Sequence, residues 1–281
     1  MKLPSLIQPE ELLQLGKNDF ILFDASAGSK ARYDEQHLAG AFYLDLNTDL
    51  ADIKDFAIGG RHPLPTLEHF SQLLGKYGVK KDTHVIVYDD KNGANAAARF
   101  WWMLRSIGHE KVQVLNGGYI AAKKAGIPIT TEVPSAIPVD AEQINAWQLP
   151  MADLEEVAIA SNSKQQAIID VRDANRYAGL TEPIDLIAGH IPNAINIPFT
   201  ENLDANGAFL APEMLKEKYS KALADYKTEN VIVHCGSGVT ACHTLLAIDY
   251  AGLALPKLYV GSWSEWSRNN RKMILAEEGK I

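Results

Sequence analysis

One cysteine stands where a chain can make sulfur reactive. Cys235 follows the apolar run Val231-Ile232-Val233-His234 and opens the segment Cys235-Gly236-Ser237-Gly238-Val239-Thr240. Gly236 and Gly238 let the backbone bend, and residues 239–251 read as a helix that stops at Gly252. Strand, tight turn and helix in that order aim successive backbone N–H groups into the loop centre, and the helix N-terminus adds partial positive charge. Both effects favour thiolate over thiol, which makes Cys235 a candidate nucleophile. The same cradle would hold a further, negatively charged sulfur without a metal. The plainer alternative is a small buried residue, a common fate of free cysteine. The flanking glycines and the strand-to-helix position argue against it. Cys242 lies inside the expected helix and reads as packing, with an oxidised Cys235–Cys242 pair as the other option.

The elements that must position this loop alternate between strand and helix. Phe20-Ile21-Leu22-Phe23-Asp24, Val85-Ile86-Val87-Tyr88 and Val112-Gln113-Val114-Leu115 read as buried strands. Helices are expected over 67–77, 94–107 and 119–125, each ending near a glycine (Gly78, Gly108 and Gly126). Short β-rich runs separated by such helices predict an α/β fold with a parallel sheet flanked by helices.

The second half repeats the first. Ala167-Ile168-Ile169-Asp170 matches Ile21-Leu22-Phe23-Asp24, and Val231-Ile232-Val233-His234 matches Val85-Ile86-Val87-Tyr88, both at an offset of 146 (170 − 24 and 231 − 85). Gly189-His190-Ile191-Pro192-Asn193-Ala194 echoes Gln36-His37-Leu38-Ala39-Gly40-Ala41, and Gly261-Ser262-Trp263 echoes Gly117-Gly118-Tyr119. So long a period means domain duplication rather than a solenoid. The expected division is an N-terminal domain over 1–130, a linker over 131–150 interrupted by Pro134, Pro138 and Pro150, and a C-terminal domain over 151–281. At the same offset Cys235 falls on Asp89, within Asp89-Asp90-Lys91-Asn92-Gly93. A carboxylate cannot accept and pass on sulfur, so the C-terminal copy is read as catalytic and the N-terminal copy as inactive.

Composition narrows the partners. The 281 residues are 47% hydrophobic and 22% charged, enough for two ordinary cores. A net charge of −8 without a basic stripe argues against nucleic acid, which binds through phosphate neutralisation. The apolar runs fall far short of the roughly 20 residues that cross a bilayer, and no signal-like stretch follows Met1-Lys2-Leu3-Pro4, so a cytoplasmic protein with no membrane partner is expected. Two cysteines make neither a disulfide scaffold nor a zinc site.

The duplicated halves, the loop Cys235-Gly236-Ser237-Gly238-Val239-Thr240-Ala241, the stretch Gly189-His190-Ile191-Pro192 and Gly261-Ser262-Trp263-Ser264-Glu265-Trp266 resemble the two-domain rhodanese-type sulfurtransferases. The resemblance covers nearly the whole chain. It implies two tandem rhodanese-like domains, a persulfide carried on Cys235, no cofactor and no metal. It also implies a small sulfur donor and a thiol or cyanide acceptor, thioredoxin-like proteins among the thiols. Family members that use thiosulfate commonly carry Arg-Lys after the cysteine, whereas those that use 3-mercaptopyruvate carry Gly-Ser or a close variant, as Gly236-Ser237 here. A neutral hydroxyl suits a thiol-bearing 2-oxo acid better than a dianion. Thiosulfate is the alternative donor.

The resemblance also implies site residues. Arg176, in Asn175-Arg176-Tyr177, matches an arginine that holds the donor anion, a task suited to the two-pronged guanidinium; the plainer reading is a surface pair with Asp173 or Glu182, and Arg172 is the lesser candidate. A second arginine usual in the mercaptopyruvate enzymes is missing from Glu182-Pro183-Ile184-Asp185. Gly59-Gly60-Arg61-His62-Pro63-Leu64-Pro65 resembles the segment at the active-site mouth, where His62 and Ser237 would move protons and Arg61 would add positive charge. The loop positions Gly236, Gly238, Val239 and Thr240 would cradle the donor's sulfur. An acid partner for His62 falls near Asn47, with Asp45 and Asp49 beside it, so no complete triad carries over; Trp263 and Trp266 read as packing.

Two rivals come from other classes. His234-Cys235 before a loop and helix suits a cysteine phosphatase, but the arginine such an enzyme needs six residues on is Ala241 here. A non-enzymatic rhodanese-like binding module would typically have lost the cysteine, as the first half has.

Overall fold

The computed structural model describes residues 3–276 and divides the chain into two compact units. Unit 1 comprises Met1–Asp52, Pro65–Leu149 and Ala205–Phe209; unit 2 comprises Ile53–Leu64, Pro150–Asp204 and Leu210–Ile281. A single cut in the 131–150 segment does not reproduce this division. Each unit takes in a short piece of the other half, Ile53–Leu64 in one direction and Ala205–Phe209 in the other. Within unit 1 the received piece is tied down by Phe209 N–H donating to Asn116 Oδ1 at 2.8 Å.

Unit 1 is built on strands β1 (Leu6–Ile7), β2 (Ile21–Asp24), β3 (His37–Leu38), β4 (Ala41–Tyr43), β5 (Val85–Tyr88), β6 (Val112–Leu115) and β7 (Ile129–Thr130). Five of them form a parallel sheet in the order β1-β6-β5-β2-β4, while β3 and β7 pair antiparallel on their own. All four residues of β5 are buried, as expected of a central parallel strand covered by helices on both faces. The helices Leu67–Lys76 and Ala97–Ser106 supply part of that cover, burying Phe70, Phe100, Trp101 and Trp102.

Unit 2 repeats the plan with β8 (Met151–Ala152), β9 (Ala167–Asp170), β10 (Ala194–Asn196), β11 (Val231–His234) and β12 (Lys257–Tyr259). Its sheet, in the order β10-β9-β11-β12-β8, is again wholly parallel and follows the same strand sequence as β4-β2-β5-β6-β1. Register repeats too: Ile21 faces Val85 in one sheet and Ala167 faces Val231 in the other, so Asp24–Tyr88 and Asp170–His234 are corresponding pairs. A slip of one residue would turn every side chain to the opposite face, so shared register means shared core geometry. Trp263 and Trp266 lie in the unit 2 core with Ile168, Ile232 and Tyr259, which is the packing role read for them. Among the described residues no helix is long and apolar enough to cross a membrane.

Candidate active site

Cys235 follows β11 at the C-terminal edge of the sheet, and the helix Ala241–Tyr250 begins six residues later. Open sheets of this kind bind ligands at that edge. The loop between is held from below. Cys235 N–H donates to Ser262 Oγ at 3.1 Å, and the Cys235 and Gly236 carbonyls accept from Trp263 N at 3.0 Å and Ser264 N at 2.9 Å. Gly238 adopts φ +72°, and a Cβ there would lie 2.4 Å from the Val260 carbonyl oxygen, so both backbone strain and space demand glycine. Cys235 is 3% exposed, Ser237 6% and Val239 6%, so the reacting loop is nearly closed to water. Thr240 occupies the N-cap position of the following helix. Cys242 is fully buried and its Sγ–H donates to the Gly238 carbonyl at 3.3 Å, in keeping with packing.

Beneath Cys235 lies a buried charge cluster. Asp170, at the end of β9, accepts from Arg172 Nη2 at 2.6 Å and from its Nε at 3.0 Å. Arg172 also donates to the Gly189 carbonyl at 2.8 Å and stacks 4.8 Å over the Trp263 ring. Burial opposes charge on Asp170, but His234 and Arg172 outweigh it and its pKa is lowered. Burial lowers the pKa of His234, with the Asp170 charge pulling the other way. Arg172 is thus committed to the scaffold.

The received segment Ile53–Leu64 packs on the helix Ser262–Trp266 within unit 2. Gly59 N–H donates to Glu265 Oε1 at 2.6 Å, Arg61 N–H to Ser264 Oγ at 3.0 Å, and Asn269 Nδ2 to the Ala57 carbonyl at 2.8 Å. One short helix therefore fixes both the Cys235 loop and the segment facing it. Two side chains of that segment reach the loop. His62 Nδ1 lies 2.8 Å from Ser237 Oγ. Arg61 Nη2 would be 3.0 Å from a Cβ placed on Gly236, with Arg176 Nη2 3.4 Å and Nη1 3.7 Å from the same point. Two guanidinium groups therefore fill the space beside Cys235 that a side chain at 236 would need.

Carboxylates hold these arginines in turn. Arg176 Nη2 lies 2.7 Å from Glu182 Oε1 and 3.5 Å from Asp185 Oδ2, and Arg61 Nε lies 3.1 Å from Asp185 Oδ1. A further arginine, Arg268, approaches Asp185 Oδ1 at 3.4 Å and donates to the Ser264 carbonyl at 2.7 Å. Burial works against ionised Glu182, but the Arg176 hydrogen bond and the Asp185 and Ile184 N–H groups overcome it and lower its pKa. For Asp185 burial prevails over the pull of Arg61, and its pKa is raised.

The structure thus gathers Cys235, Ser237, His62, Arg61 and Arg176 in one place. Asp45 and Asp49 belong to unit 1, where Asp45 Oδ1 accepts from Asn47 N–H at 2.8 Å and Asp49 Oδ2 from Asp45 N–H at 2.8 Å. Ala241 is buried at the start of its helix. Glu182, Asp185 and Arg268 escaped the sequence reading as site residues. The hints were two acids in a stretch expected to carry an arginine, and Glu182 as a surface partner for Arg176, a pair that forms at 2.7 Å.

This architecture, repeated twice with one thiol-bearing loop, defines a class. The Rhodanese-like domain family matches residues 8–125 and 153–269, and the chain belongs to that family. It is 40% identical over 256 residues to a Pseudomonas aeruginosa protein named "Probable 3-mercaptopyruvate sulfurtransferase", covering 91% of this chain and 89% of that relative. It is 34% identical over 256 residues to the thiosulfate sulfurtransferase of Mus musculus, covering 90% of this chain and 84% of that one. Among solved structures, the 3-mercaptopyruvate sulfurtransferase from Leishmania major matches with a TM-score of 0.80 and 29% identity, over 95% of this chain and 75% of that one.

Proposed function

We propose that the protein is a sulfurtransferase that moves sulfur from 3-mercaptopyruvate onto Cys235 and hands it to a thiol or cyanide, thioredoxin-like proteins among the acceptors. The reading is carried by what converges on the Cys235 loop: the guanidinium groups of Arg61 and Arg176 over Gly236, and the Ser237–His62 pair at 2.8 Å. Arg176, with Arg61, binds the donor carboxylate by paired hydrogen bonds and turns its sulfur toward Cys235. The Cys235 thiolate attacks that sulfur. An S–S bond forms as the donor's C–S bond breaks, and the electron pair leaves on carbon as the enolate of pyruvate. Ser237, backed by His62, delivers the proton that completes pyruvate, which balances the proton lost from the donor thiol. The N–H groups of Gly236, Gly238, Val239 and Thr240 steady the outer sulfur of the persulfide until an acceptor thiolate removes it. The two half-reactions give ping-pong kinetics.

The names of the relatives support both donors. The absence of cations at Gly236 and Ser237 and the presence of a proton-delivering pair favour 3-mercaptopyruvate, because sulfite leaving from thiosulfate needs no proton on carbon. In this reading residues 151–281 form the catalytic domain, 1–130 an inactive copy and 131–150 their linker. A reactive thiolate suits a reducing, cytoplasmic setting. The test compares sulfur release from 3-mercaptopyruvate and thiosulfate in the wild type, Cys235→Ser and His62→Ala. Cys235→Ser is expected to be inactive on both. His62→Ala should lose about 10²-fold in kcat on mercaptopyruvate and much less on thiosulfate. Full activity in Cys235→Ser ends the mechanism; a strong wild-type preference for thiosulfate ends the donor assignment alone.

A further inference from the structure

The arginines that reach the Cys235 loop do not present their full charge. Asp185 is approached by Arg61 at 3.1 Å, Arg268 at 3.4 Å and Arg176 at 3.5 Å, and Glu182 by Arg176 at 2.7 Å. The two carboxylates have side-chain exposures of 0% and 3%, whereas the three guanidinium groups keep 14–17%. Anions are therefore sunk behind cations that still face outward. Arg172 lies deeper, between Asp170 at 2.6 Å and Glu182 at 3.3 Å. With Arg172 and Asp170 counted in, four arginines face three carboxylates and leave a net single positive charge on the cluster, of which Arg61 and Arg176 reach Gly236.

We propose that Glu182 and Asp185 set donor selectivity: they trim the arginine cluster to one net positive charge, so that the pocket takes a monoanionic thiol acid and disfavours a dianion. This deepens the mercaptopyruvate reading and rests on it. Coulomb energy is proportional to the product of charges, so each unit of positive charge cancelled costs a dianion about twice what it costs a monoanion. The partial burial of the cluster keeps salt from erasing the difference. Both acids are positioning residues, since they touch the arginines and not the donor. Glu182 also accepts N–H bonds from Ile184 at 3.1 Å and Asp185 at 3.0 Å, so it shapes its own turn. Asp185, whose carboxylate meets Arg61, Arg176 and Arg268, gives the cleaner test.

The test measures kcat and KM for thiosulfate and 3-mercaptopyruvate, with cyanide as acceptor, in the wild type, Asp185→Asn, Arg268→Gln and Arg268→Lys. Asp185→Asn should raise the thiosulfate-to-mercaptopyruvate ratio of kcat/KM by about tenfold, chiefly through a lower KM for thiosulfate. Arg268→Gln should move the ratio the other way, and Arg268→Lys, which keeps the charge, should restore it. Parallel losses on both donors, with the ratio unmoved, would overturn the proposal. A second measurement stands apart from turnover: calorimetric binding of thiosulfate and of pyruvate to Cys235→Ala, with and without Asp185→Asn. Tightening for thiosulfate relative to pyruvate supports the charge balance, and equal change for both refutes it. A wild type that ignores mercaptopyruvate would sink the donor reading, while this binding comparison would still decide the charge balance.

Discussion

The loops after β5 and β11 hold the same place in two sheets of like register and carry different groups. In unit 1 the chain fills its own cradle: Asp89 Oδ1 accepts from Lys91 N at 2.9 Å and Gly93 N at 2.8 Å, and Oδ2 from Asn95 N at 3.0 Å and Ala97 N at 3.1 Å. Four backbone donors close on one negative group. In unit 2 the residue at the corresponding position is Cys235, a thiol in place of an internal anion. The charge supports beneath the loops compare in the same way. Asp24 is neutralised by Arg32 at 2.6 Å, whose guanidinium lies 4.6 Å over Tyr119; Asp170 is neutralised by Arg172 at 2.6 Å, stacked 4.8 Å over Trp263. The acid and the aromatic ring hold their places in both copies, but the arginine comes from a helix in one and from the strand end in the other. Duplication has preserved a charge balance rather than a residue.

The comparison can be broken most directly by grafting the first loop's residue onto the second. Cys235→Asp should lower sulfur transfer by about 10³-fold or more while leaving the melting temperature within a few degrees. Unfolding of this variant would show that the two cradles are not alike. A smaller effect lies in unit 1. Burial pushes the Asp89 carboxyl up to about 6, with the four N–H bonds pulling against it. Because the folded value exceeds the unfolded one, the stabilisation is complete below about pH 4 and is lost as pH rises through about 6. Denaturant titrations should show wild type losing about 3 kcal/mol relative to Asp89→Asn between those limits. A flat difference would mean that the cradle fully satisfies the ion. Smallest is Gly236→Ala. Its Cβ would meet Arg61 Nη2 at 3.0 Å, so the guanidinium must withdraw. A rise of about fivefold in KM with kcat kept is expected in steady-state assays. A fall in kcat alone would place Arg61 outside donor binding.

Much of the fold was legible because buried parallel strands are short, dense apolar runs. Ile21–Asp24, Val85–Tyr88, Val112–Leu115, Ala167–Asp170 and Val231–His234 lie where those runs stand. Edge strands such as Leu6–Ile7 and Met151–Ala152 are two residues long and carry no periodicity to read. The helix expected from residue 94 begins at Ala97, because the Asp89 carboxylate draws the preceding N–H groups into turns. At the site, the Cys235 loop announced itself through its glycines, and the family resemblance pointed to His62, Arg61 and Arg176. The network around Asp185 did not. Arg268 meets it across 83 residues of sequence, and Gly59 meets Glu265 across 206, distances at which no local pattern survives.

The traded segments bear on how such a gene can change. A chain severed between its two copies would part Cys235 from Ile53–Leu64, and with it from Arg61 and His62. The first copy is therefore not spare coding sequence awaiting deletion. Selection on the Cys235 loop and its surroundings reaches into the first half through twelve residues, and the duplicate is inherited as an indivisible pair.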